Sequence, residues 1–225
     1  MKKKIWVFML FMLFSVMMCQ NKVQAANQVK LNVTNAMMAK GDSFTLKVTG
    51  TKKKVKWSSS KKSIATVKNG VVNAKNTGTT YITAKIGKKK YKCKVVVKSK
   101  TYINKKIATI YDWTCDDVWN KGFCDIYHYV EDGTDSCGEK MDIEKTVANL
   151  KKALKKKNQY NKFMSNLQGK KYKKVKSIWK TLYKEMGKLE KIIDNEMPKH
   201  SEDYYFPYEK FSDYIWKFFD IILDY

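Results

Sequence analysis

The sequence predicts a mixed fold of two domains, an all-β sandwich followed by an all-α helical bundle. Three observations carry that prediction. Short alternating runs separated by turn residues fill residues 29–98, the period-two signature of strands. After Lys100 the apolar residues recur at three- and four-residue intervals, the period of a helix. Charge changes at the same place: residues 27–100 hold 19 lysines against the single acid Asp42, whereas residues 101–225 hold 23 lysines and 20 acids. All 46 basic residues are Lys, and the formal net charge is +25. The absence of Arg is read as an AT-rich coding bias more than as a binding task.

In chain order, residues 1–25 read as a secretory signal peptide. Met1-Lys2-Lys3-Lys4 is a positive leader, Ile5 to Met18 an apolar run, and Val23-Gln24-Ala25 a small-residue cleavage site. Cys19 follows Met18, where a lipidation signal needs a small residue, so cleavage after Ala25 and secretion are expected. No later apolar run reaches the roughly 20 residues of a membrane span. The mature chain is then expected to be released or held at the cell wall or cell surface.

The β-domain is assigned to residues 26–98. Lys30-Leu31-Asn32-Val33 alternates; Lys40-Gly41-Asp42 turns; Ser43 to Val48 alternates with Phe44, Leu46 and Val48 on one face. Gly50-Thr51-Lys52-Lys53 turns into Val55-Lys56-Trp57-Ser58. Ile64 to Val67, the turn Lys68-Asn69-Gly70, and Val71 to Ala74 form a hairpin pattern. Tyr81 to Ile86, a Gly87-Lys88-Lys89 turn, and Tyr91 to Val97 form another. About seven strands in about 70 residues suggest a small antiparallel sandwich. Trp57 is read as a core plug. Cys93, between Lys92 and Lys94, is placed inward as a buried free thiol with Tyr91 or Val95 outward, which leaves both lysines on the solvent face.

These residues resemble the bacterial immunoglobulin-like domain of group two. The likeness rests on Lys40-Gly41, Val55-Lys56-Trp57-Ser58-Ser59-Ser60, Ile64-Ala65-Thr66-Val67 and Asn69-Gly70-Val71-Val72-Asn73-Ala74-Lys75. Gly78-Thr79, Ile82-Thr83-Ala84 and Tyr91-Lys92-Cys93-Lys94-Val95 complete it, so that it spans nearly all of residues 29–98. The resemblance implies an immunoglobulin-like sandwich on a secreted or surface protein, of the kind used as spacer or adhesive module. One copy is present, too few for a long stalk.

So much positive charge on one small domain must set up a positive field over its surface. Lys52, Lys53, Lys54, Lys88, Lys89 and Lys90 are the candidate contacts for an anionic polymer such as wall teichoic acid, glycosaminoglycan or released DNA. The plainer reading is that lysine keeps an exported domain soluble. No Arg and no exposed aromatic platform marks a nucleic-acid groove, so no specific nucleic-acid partner is expected.

Residues 99–103 read as a linker and residues 104–225 as a helical domain of about four helices. The first is expected over roughly 104–130, interrupted by Gly122 and closed by a polar loop from Glu131 to Gly138. Asp142 is a candidate N-cap for the second, with Val147, Leu150, Leu154, Phe163, Met164 and Leu167 inward until Gly169. Tyr172 to Ile193 carries the cleanest stripe, stopped by Pro198. Pro207 opens the last helix, with Phe211, Tyr214, Ile215, Phe218, Phe219 and Ile222. Short connections argue for an up-and-down bundle. The arrangement Asp112-Trp113, Trp119-Asn120, Cys124-Asp125-Ile126, Asp132-Gly133-Thr134 and Gly138 is similar to helical extensions beside such domains in clostridial exported proteins. That implies location, not mechanism.

Little in this half points to chemistry. Asp132, Asp135, Glu139 and Asp142 form an acidic loop without the alternating spacing of a calcium site. Cys124 and His128 share a helix face, and Cys137 could fold back to them as a zinc site or a Cys–His pair, but the ligand set and the orienting partner are both incomplete. In an exported chain the same cysteines could pair, Cys124–Cys137 being the easiest bridge and Cys115–Cys137 the next; Cys93, Cys115, Cys124 and Cys137 could also all be free. With two His, no Ser/His/Asp order, no phosphate loop and no paired carboxylates, no enzyme, metal or cofactor is expected. The leading expectation is a secreted or cell-surface interaction protein, adhesive in type, in which the sandwich supports a helical binding domain for a protein or surface polysaccharide. A lysine-rich sandwich that binds anionic wall polymer is the alternative, and a thiol- or metal-dependent enzyme the second.

Overall fold

The computed structural model describes residues 28–223 and Tyr225; the expected signal peptide lies outside the described residues. Strands come first and helices second. The strands are β1 (Lys30–Leu31), β2 (Asn35–Ala39), β3 (Ser43–Thr45), β4 (Val48–Thr49), β5 (Lys56–Ser59), β6 (Ala65–Lys68), β7 (Val71–Ala74), β8 (Gly78–Ile86) and β9 (Lys89–Lys98). They form a sheet of order β2-β9-β8-β5, a facing sheet β3-β7-β6 and the short pair β1-β4. Leu46, Val72, Ile82, Ala84, Cys93, Val95 and Val97 are buried between the sheets.

Three expectations need correction here. The stretch Ser43 to Val48 is two strands, because the chain changes sheets at the buried Leu46: β3 pairs with β7, and β4 with β1. The sandwich is not wholly antiparallel, since β2 runs parallel to β9. Val95 is buried beside Cys93, as residues two apart on a strand share a face. The Asn69-Gly70 turn is as expected. Both residues have positive φ, +51° and +82°, as the tight turn joining β6 to β7 requires. A side chain on Gly70 would strike the Leu46 carbonyl, and Trp57 packs beside it, half-buried against the core.

The helices are α1 (Lys100–Asp112), a π-helical segment (Trp113–Cys124), α2 (Asp125–Asp132), α3 (Ile143–Leu154), α4 (Lys157–Asn166), α5 (Lys173–Asn195) and α6 (Glu209–Ile222). The first expected helix is thus α1, the π-helical segment and α2 in succession, with hydrogen-bond pitch changing in the middle. It kinks at Lys121, whose backbone leaves the helical region (φ −89°, ψ 16°), beside Gly122, where the interruption is expected. A Cβ on Gly122 would lie 2.8 Å from Leu150 Cδ1, so the missing side chain lets the π-helical segment and α3 touch. The second expected helix divides at Lys155–Lys156 into α3 and α4. Asp142 does cap α3, its carboxylate accepting from Lys145 N–H at 3.0 Å. The last two helices run as the stripes indicate. Glu185 of α5, nearly buried, meets Lys188 at 2.8 Å and Lys210 of α6 at 3.6 Å.

No linker separates the halves. β9 ends at Lys98, the Ser99 hydroxyl caps α1 by accepting from Tyr102 N–H at 3.1 Å, and the helix starts at Lys100. The expected 99–103 spacer is therefore a cap and the first turn of α1. A second join comes from β2, whose sequence Asn-Ala-Met-Met-Ala is apolar on both faces. Ala36 and Met38 enter the sandwich core, while Met37 and Ala39 face the helical core. Gln168 N–H, just beyond α4, donates to the Met37 carbonyl at 2.7 Å. A strand buried on both faces loses polar alternation, which is why this one is hard to read as a strand in sequence.

Asp42 sits at this junction. One of its carboxylate oxygens is buried without a hydrogen-bond partner, 3.0 Å from where a Cβ on Gly169 would lie. Burial raises its pKa above the usual carboxylate value, and nearby Lys100 and Lys171 pull it part of the way back.

Candidate functional site

Two adjoining ladders place like charges side by side. Lys56 of β5 is opposite Lys85 of β8, and Lys85 is opposite Lys90 of β9. All three are exposed, on the sheet face turned away from the core. The next row on that face runs Ser58, Thr83, Lys92, and the one after it pairs Tyr81 with Lys94. Neighbouring strands lie about 4.8 Å apart and same-face residues about 6.7 Å apart along a strand. Lys56, Lys85, Lys90, Lys92 and Lys94 thus share one face of three neighbouring strands. None of these lysines forms an ion pair within 4 Å among the described residues. Like charges placed directly across strands cost stability, so the array works against the fold that holds it.

The sequence-chosen lysines gather at one end of this face. Lys90 belongs to the first row, and Lys88 and Lys89 stand at the β8–β9 hairpin tip. The antiparallel register of Lys56 with Lys85 carries the preceding loop, Lys52, Lys53 and Lys54, to the same end. All six are exposed. Lys56, Lys85 and Tyr81 were not singled out from sequence, although period-two alternation along β5 and β8 holds the signal. Tyr81, 46% exposed beside Lys94, is an aromatic surface on the cationic face where none was expected.

The residues considered for chemistry have local structural duties. All four described cysteines are unpaired, and the Cys124–Cys137 bridge is not formed. Cys124 is half-buried, and burial together with Asp125 raises its thiol pKa, which works against a nucleophilic thiolate. His128 Nδ1 lies 3.4 Å from Asp132 Oδ2. In the acidic loop, Asp135 Oδ1 accepts from the N–H groups of Cys137 and Glu139, each at 2.9 Å. Asp142 is occupied as the α3 cap. Asp125 Oδ1 accepts from Ser136 N–H at 3.2 Å and its hydroxyl at 2.7 Å, which draws the loop back onto α2. These carboxylates shape backbone.

The helical domain contributes one exposed apolar stripe, on α6 and just beyond it. Trp216 is 63% exposed, Phe219 37% and Leu223 71%. Phe218 and Ile215, on the other side of α6, are buried in the helical core.

No protein-family model matches the chain. A stretch of 73 residues is 47% identical to the kappa-carrageenase of Pseudoalteromonas carrageenovora, covering 30% of this chain and 18% of that enzyme. The chain therefore spans under a fifth of the length of that curated relative. Among solved structures, domains 4 and 5 of the S-layer protein SbsC are 31% identical at a TM-score of 0.26, over 31% of this chain and 50% of that one. Domains 4–9 of the same surface-layer protein are 30% identical at a TM-score of 0.28, over 33% of this chain and 14% of that one.

Proposed function

We propose that this is an exported cell-surface binding protein whose sandwich is a bacterial immunoglobulin-like domain of group two. Its cationic sheet face is the binding element for an anionic surface polymer. The observation that carries the reading is the Lys56–Lys85–Lys90 row, extended by Lys92 and Lys94 and ending beside Tyr81. Repulsion on this face is relieved by a polyanion, whose counterions are released on binding. The domain assignment rests on the motifs of residues 29–98 and on their two facing sheets. Binding rather than catalysis suits the commitments of the carboxylates and the disfavoured Cys124 thiolate. The helical domain, joined without a spacer, is carried wherever the sandwich is held.

The test is retention of the full chain on purified wall teichoic acid, compared with a variant carrying Lys56→Gln, Lys85→Gln, Lys90→Gln and Lys92→Gln. The reading requires retention that salt abolishes and that the variant lacks. Equal retention by both chains would end it.

The exposed Trp216, Phe219 and Leu223 favour a second reading, in which the helical domain contacts a protein partner and the sandwich is its support. Binding of that kind survives high salt and is lost with Trp216→Ser.

A further inference from the structure

A second cationic site lies at the junction of the two domains. A cleft of about 360 Å³ opens between β3 and the start of α5. Lys47 enters it from the sandwich, and Lys170, Lys173 and Lys176 from the helical side, with Thr45 and Gln168 as polar neighbours. Its lining holds no acid, the buried Asp42 carboxylate lying behind Gly169, and none of the four lysines forms an ion pair within 4 Å among the described residues.

Two further features make this more than a solvated lysine cluster. Lys176 is half-buried, its Nζ donating to the Leu167 carbonyl at 2.5 Å, so a cation is fixed at the cleft wall rather than free in water. Burial lowers its pKa, the mark of an ammonium short of solvation. The 23-residue α5 also begins here, with no side-chain cap and no acid in its first turn. Its positive end is met by Lys173 and Lys174, the reverse of the charge a helix start favours. An anion in the cleft would satisfy both features at once. The volume lies at the small end of ligand pockets, suited to one sugar or polyol unit rather than a polymer strand.

We propose that this cleft binds a single tetrahedral oxyanion, the phosphate or sulfate monoester of a sugar or polyol, held between Lys170, Lys173 and Lys176 with Lys47 closing from the sandwich. Because both domains supply contacts, the ligand clamps their junction. The site is separate from the lysine-bearing sheet face and does not depend on that reading.

The test is calorimetric titration of the full chain with glucose 6-phosphate, glucose 6-sulfate and glucose at low salt. Three variants accompany it: Lys173→Gln/Lys176→Gln, the sandwich-side Lys47→Gln, and Lys85→Gln/Lys90→Gln on the sheet face. One ester should bind per chain while glucose does not. The Lys173/Lys176 variant should lose at least tenfold in affinity, Lys47→Gln severalfold, and the sheet-face variant nothing. Binding of either ester at that stoichiometry supports the site, and the tighter of the two names the ligand's source. Absence of saturable binding, or equal loss in the sheet-face variant, overturns it. Lys47 is exposed and outside the helices, so its variant decides the matter even if the α5 variant fails to fold.

Discussion

Lys85 lies directly opposite Lys90 in the β8–β9 ladder, with both side chains on the solvent face. Lys56 flanks Lys85 from the other side. Strands β1 to β9 contain no acidic residue at all, Asp42 lying in the turn between β2 and β3. Two unit charges about 6 Å apart in water repel by roughly 0.7 kcal/mol, and a central lysine meets that repulsion from both sides.

Lys85→Glu should therefore stabilise the protein while weakening it as a polymer binder. Replacing two repulsive cross-strand pairs by two attractive ones is worth about 1 kcal/mol at low salt. The gain should shrink as salt screens the face. Thermal melts at two ionic strengths, alongside wall-polymer retention, check both halves. A variant that loses stability would show the row is not under electrostatic strain.

Asp42 makes stability depend on pH in an unusual sense. Burial holds its folded pKa above the ordinary carboxylate value, so between the unfolded and folded values the folded state binds more protons than the unfolded one. Stability contributed at this site is present below the unfolded pKa and is lost as pH rises through the folded value. Asp42→Asn should raise the melting temperature at pH 7, with the advantage disappearing below about pH 4. Denaturation at pH 3 and pH 7 separates this from a pH-independent packing effect.

Gly122 lets the π-helical segment meet α3. Gly122→Val should cost about 1–3 kcal/mol through overpacking against Leu150. Adding Leu150→Ala should cost less in that background than alone, because the new methyls occupy part of the space. A double-mutant cycle by urea denaturation reads the coupling.

Thiol labelling should follow burial and local charge. Cys137 is exposed and should react with iodoacetamide in the native protein, while Cys93 is fully buried and should not. Burial pushes the Cys93 thiol up to about 11. Cys124, half-buried with its thiol pKa raised, should label more slowly than the exposed Cys137 and gain rate as pH rises. Mass spectrometry of the labelled protein across pH 7–10 resolves the order.

The elements with clean periodicity were legible. The β6–β7 hairpin follows from Asn69-Gly70, α5 from its apolar stripe, and the start of α3 from Asp142. What failed did so where tertiary contacts override local pattern. β2 lacks polar alternation because helices cover one face and the sandwich the other. The kink at Lys121 beside Gly122 agrees with its reading as an interruption, but its packing against Leu150 was not legible. The 99–103 segment has no compact signal of its own, since a single hydroxyl, Ser99, converts strand to helix. Of the site, the runs Lys52–Lys54 and Lys88–Lys90 stood out as blocks of charge. Lys56 and Lys85 did not, because register across strands, not proximity in sequence, sets them in one row.

The most direct measurement is the salt dependence of full-chain affinity for a defined anionic wall polymer, with and without the four-lysine substitution at Lys56, Lys85, Lys90 and Lys92. Counterion release predicts that log K falls linearly with log salt and that the substitution flattens the slope by about three. A slope unchanged by the substitution would place the binding elsewhere and contradict the account.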